Sequence, residues 1–190
     1  MSFLINPFAF AVAGGDFESI ATVTVGSGGA SEVVFDNIPQ TYAAIQIRYI
    51  CRSSYDPAGS LPAIQIEMKA NAETGNAYSF HELRGDGSSA SAAGYASQGF
   101  IYPGYHASAD SSSNIYGAGI IDVIDYSSTS KTTTFRAFSG ADNNGSGRVA
   151  LYSSVWTSTA ALTKLTIAAT FSSGTISQHS QFALFGVKAP

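Results

Sequence analysis

Residues 43–52 read AAIQIRYICR, and their alternation decides the fold class. Ile45, Ile47, Tyr49 and Cys51 fall on one parity, with Gln46, Arg48, Ile50 and Arg52 on the other. Successive side chains of a strand point to opposite faces, so this period of two sends the first set to a core and the second mostly to solvent. A helix would need apolar residues every three or four positions. The same period recurs in ATVTV (21–25), SEVVFD (31–36), AIQIEMK (63–69) and AYSFHELR (77–84). It returns in GAGIIDVID (117–125), KTTTFRAFS (131–139), RVALYSSVW (148–156), LTKLTIAATF (162–171) and QFALFGVK (181–188).

Turn chemistry separates these runs. GSGG (26–29) predicts a hairpin between the strands that flank it, because Gly supplies the positive φ of a tight reversal. NIPQTY (37–42), ANAETGN (70–76) and GADNNGSG (140–147) are turn-rich connections. Only TSTAAL (157–162) offers a turn of helix. Roughly ten or eleven short strands at regular spacing predict an all-β protein, a two-sheet, jelly-roll-like β-sandwich. Residues 85–116 break the pattern: Ser, Ala and Gly mix with tyrosines and no clean period, which reads as a long loop region of the kind that tends to be functional or to pack on a partner. Its aromatics Tyr95, Tyr102, Tyr105 and Tyr116 are candidates for stacking on a glycan or filling an interface, the alternative being ordinary strand residues as in YASQGFIY (95–102).

At 190 residues the chain fits one domain, with residues 1–15 as an N-terminal arm and 16–190 as the sandwich. Charged residues make up 12% against a usual ~25%, a surface suited to being covered by neighbours, so homo-oligomerisation is expected. Net charge is −4 and the basic residues form no run, which argues against a nucleic-acid partner. The opening MSFLINPFAF lacks the basic flank of a secretory signal and is shorter than the ~20 apolar residues of a membrane span. It reads either as a core strand or as an arm that docks on another protein through Phe3, Leu4, Ile5, Phe8 and Phe10.

No stretch carries the signature of a catalytic or metal centre. G-x-S-x-G and H-E-x-x-H are both absent, and His81, His106 and His179 lie far apart in sequence. Asp122 and Asp125 are three apart, which on a strand sends them to opposite faces. DNNGSG lacks the spacing and closing Glu of a calcium loop, and Arg84-Gly85-Asp86 reads as a turn after a strand. The single cysteine, Cys51, is expected as a reduced core thiol. No cofactor and no enzymatic activity are expected.

Three segments in order, FESIATVTVGSGGASEVVFDNIPQTYAAIQIR (17–48), NNGSGRVALYSSVWTSTAALTKLTI (143–167) and FALFGVK (182–188), resemble a family of virion structural proteins of tailed bacteriophages, common in cyanophages. The resemblance implies a non-enzymatic β-sandwich, foremost a capsid decoration or cement protein. A homotrimer partnered with the major capsid protein or other virion proteins is its expected form. It implies a place in the virion after assembly in the host cytoplasm. The alternative it leaves open is a tail or tail-fibre module that binds host-surface polysaccharide.

Overall fold

The computed structural model describes residues 16–57, 61–170 and 173–189, all of it strand, turn and loop. Twelve strands follow one another: β1 (Phe17–Thr24), β2 (Glu32–Phe35), β3 (Ala44–Cys51), β4 (Ala63–Ala70), β5 (Tyr78–Gly85), β6 (Ala90–Gln98), β7 (Ile101–Ala107), β8 (Gly117–Ile124), β9 (Thr133–Asp142), β10 (Gly147–Trp156), β11 (Leu165–Ala168) and β12 (Gln181–Val187). They form two antiparallel sheets, one of eight strands in the order β1-β12-β3-β8-β9-β10-β5-β6 and one of four in the order β2-β11-β4-β7. The fold is the all-β two-sheet sandwich that the period of two predicts. TSTAAL forms no helix.

The inner face of the large sheet supplies Ile45, Ile47, Tyr49, Phe80, Ile121 and Phe135 to the core, and the small sheet answers with Val33, Ile66, Met68, Ile101, Tyr105 and Ile167. Burying such a side chain fully contributes ~1.5–3 kcal/mol, so this interlayer packing is the main source of stability. Strand β7 lies across β8, β9 and β10. The layers approach closely at Gly104, where a Cβ would collide with the Tyr49 hydroxyl, which donates to the Tyr105 carbonyl at 2.9 Å.

Two expectations need correction. GSGG does not close a hairpin: β1 pairs with β12 and β2 with β11. The positive φ of Gly28 and Gly29 does turn the chain, but the flanking backbone bonds to the C-terminal segment, Val25 N–H to Ser180 O and Ala30 N–H to Ile176 O. The turn therefore hands the chain from one sheet to the other. Glycines specify a reversal and say nothing about which strand supplies the hydrogen bonds.

Residues 85–116 are likewise not one long loop, because they contain β6 and β7. Strand β6 is an exposed edge of Ala and Ser, whereas β7 is buried along most of its length, so neither shows apolar-polar alternation. The remaining loop is tethered. The Arg52 guanidinium donates to the carbonyls of Ala109, Ser111, Ser112 and Ile115.

Between β9 and β10 the expected turn does close a hairpin. Asn144 and Gly145 both take positive φ, Asn143 N–H bonds to Ser146 O, and the Asp142 carboxylate accepts from Gly145 N–H.

Candidate interaction surface

Strand register builds a surface on the outer face of the large sheet. Ala92, Leu83, Leu151, Phe138, Ile120, Arg48, Ala183 and Thr22 stand opposite one another across all eight strands. The adjacent row places Val149, Gly140, Ala118 and Ile50 in line. Phe138 is 56% exposed, Leu83 52% and Leu151 51%, and Val149, Ile50 and Ile120 are also well exposed. Isolated exposed apolar residues are ordinary, but here they form a contiguous block at the centre of a sheet, which makes it a candidate interaction surface.

Polar groups border this block and satisfy one another. Arg136 pairs with Asp122 at 3.4 Å, Gln46 donates to Asp122 at 2.8 Å, and Arg48 donates to Gln46 at 2.8 Å. The Arg48 guanidinium also lies 5.2 Å from the ring centroids of both Phe17 and Phe185. Beside Phe138 the small residues Ala118 and Gly140 leave a hollow of about 500 Å³, and a second, of about 640 Å³, opens beside Leu83, Ala92 and Leu151.

The four tyrosines part company. Tyr105 is a correction: it is 1% exposed and points into the sandwich, its ring centroid 6.2 Å from that of Tyr152, so it offers no face to a sugar. Tyr95 is exposed on the edge strand and packs on Phe80 at 4.9 Å. Tyr102 is half-buried and lines a cleft of about 520 Å³ with Tyr55, Gln65, Glu67 and Phe100. Tyr116 is distant in role, its hydroxyl donating to Gln178 O at 2.8 Å. Phe3, Leu4, Ile5, Phe8 and Phe10 lie outside the described residues.

Several titratable groups are engaged by their neighbours. Glu82 is buried, accepts from the Tyr152 hydroxyl at 2.8 Å and pairs with Arg84 at 3.0 Å. Burial, with Tyr105 and Glu82 nearby, pushes the Tyr152 hydroxyl far above its ordinary range. His106 has its Nε2 2.9 Å from Ser53 Oγ and its Nδ1 without a partner. That spacing would suit a nucleophile and base, but both residues are buried and burial pulls the imidazole down to about 3, so it is neutral.

His81 sits exposed on β5 and His179 in a turn, and no cluster of His, Cys, Asp or Glu among the described residues could hold a metal. Asp125 lies just past β8 and pairs with Lys131 at 3.1 Å, while Asp122 is on the outer sheet face. Asp86 accepts from the backbone N–H groups of Ser88 and Ser89, the turn that Arg84-Gly85-Asp86 predicts; these bonds hold its carboxyl below the usual range. Cys51 is a free buried thiol that burial pushes up to about 12.

The outer apolar face is the feature the sequence reading missed. Its trace was present in neighbouring apolar residues of opposite parity, Ile120 beside Ile121 and Val149 and Leu151 around Ala150. Strands apolar on both parities are strands covered on both faces. Fold and surface together define a β-sandwich with an exposed apolar face. Compared with known proteins, the chain matches no family model, no curated protein and no solved structure.

Proposed function

We propose that the protein is a non-enzymatic structural component of a tailed-phage virion, a capsid decoration or cement protein with a jelly-roll-like body. The observation that carries this reading is the apolar outer face of the large sheet on a chain with only 12% charged residues, a surface suited to permanent assembly. The ordered resemblance of residues 17–48, 143–167 and 182–188 supplies the setting, and the major capsid protein is the partner it implies. The apolar segment 1–13, with Phe3, Leu4, Ile5, Phe8 and Phe10, is the attachment arm of this proposal.

Rebinding tests it. Purified protein added to particles that lack it should bind saturably and raise the temperature at which the shell opens. The chain without residues 1–13 should stay folded and bind more weakly. Absence of binding to the shell overturns the proposal.

A second reading, a tail or tail-fibre module for host polysaccharide, is favoured by the cleft where Tyr55, Phe100 and Tyr102 stand with Gln65 and Glu67, aromatic faces beside polar groups. A glycan array separates the readings. Reproducible binding abolished by Tyr102→Ala supports the polysaccharide module; a blank array removes it.

A further inference from the structure

No described residue covers the outer face of the eight-stranded sheet, and the geometry points to a second copy of this chain as its occupant, the same face of each copy meeting around a two-fold axis. This rests on the described surface alone and holds or fails whatever particle the chain serves.

Area comes first. Leu83, Leu151, Phe138, Ile120, Val149 and Ile50, each about half exposed, present on the order of 500 Å² of apolar surface, near the upper end for the largest patch of a monomer. With the polar rim of Gln46, Arg136 and Ser153 the face approaches the ~800 Å² per partner of a stable interface. Apolar core and polar rim is also the anatomy that such interfaces show.

Charge and shape then select the partner. A two-fold axis through the face sets the groups nearest it against their own copies, so an uncompensated charge at the centre would repel. Here Arg136 and Asp122 are already paired, and Arg48 is engaged by Gln46 and two aromatic rings at the end of the apolar row. The centre itself is neutral. The face also carries its own matching relief, since Phe138 projects while Ala118 and Gly140 beside it leave the hollow of about 500 Å³.

Elsewhere among the described residues the large exposed apolar side chains are only Leu61 and Tyr95; Phe17 and the six named above share this one face. Among the described residues, what a second copy offers to match the face is therefore the same face. Two sheets packed in this way lie about 10 Å apart, as sandwich layers do.

Sedimentation of the full chain at micromolar concentration should show a dimer. Phe138→Asp and Leu151→Asp should each raise its dissociation constant roughly 100-fold or more, leaving a monomer with the parent's β-type circular dichroism and cooperative unfolding. A gentler variant covers misfolding: Phe138→Cys should form an intermolecular disulfide under mild oxidation, whereas Ser130→Cys at an exposed position away from this face should not, and the buried Cys51 stays silent in both. A wild-type monomer overturns the inference. A trimer, or a dimer indifferent to Phe138→Asp, overturns it too, as does a dimer lost on removing residues 1–13, which would make that segment the occupant.

Discussion

The two faces of the eight-stranded sheet are made by the same strands from similar residues, yet only one of them is a core. In β10, Ala150, Tyr152, Ser154 and Trp156 point inward and are buried, while Val149 and Leu151 point outward and are half exposed. Strand β9 repeats this with Phe135 inside and Phe138 outside. Nothing in the local backbone separates them. The difference is the four-stranded sheet, whose β7 covers β8, β9 and β10 on one side only. An apolar residue records an affinity for cover, and the rest of the chain decides whether the cover is internal.

The largest effect should come from opening the inner face. Phe135→Ala removes a ring that is 1% exposed and should cost about 3–5 kcal/mol, read as a lower urea midpoint. A cost below about 1 kcal/mol, the scale of a surface change, would mean that the two layers do not pack as described.

Acid should loosen the same interior from within. His106 titrates near 3 in the folded chain against 6.5 for an ordinary imidazole. Between those values the unfolded chain binds a proton that the folded chain refuses, so stability is whole above pH ~6.5 and declines as pH falls toward 3. The slope is about 1.4 kcal/mol per pH unit. Comparing urea midpoints of the parent and His106→Gln at pH 7 and pH 5 isolates this group from the carboxylates. A difference that does not change with pH removes His106 from the account.

The smallest effect belongs to the outer face. Leu83→Ser, measured on the dissociated chain, should cost no more than about 1 kcal/mol, the value of its cross-strand contact with Leu151. A loss as large as that from Phe135→Ala would show that the outer face is covered within a single chain, and the contrast between the faces would disappear.

Much of this was legible in the residues themselves. The alternation in 43–52 assigned Ile45, Ile47, Tyr49 and Cys51 to the core, where they are, and the Asn and Gly of 143–146 marked the β9–β10 reversal. Tyr105 was misplaced for a physical reason: a tyrosine can face a ligand or fill a core with its hydroxyl bonded, and its chemistry suits both. In the structure Arg84 donates to that hydroxyl at 3.3 Å and Ser139 Oγ accepts from its backbone N–H at 3.0 Å. Those partners lie 21 and 34 residues away in the chain.

By itself, then, the order of residues determined the strands that alternate, their parity and the places where the chain reverses, because backbone geometry and side-chain burial act within a few residues; β6 and β7, which do not alternate, escaped it. Which strands pair was decided only in three dimensions, where the C-terminal segment took the hydrogen bonds that GSGG left open on both sides. The exposed apolar face is of the same kind. Eight strands stand against four, and the large sheet, with apolar residues on both parities, has one face buried by the small sheet and the other exposed among the described residues.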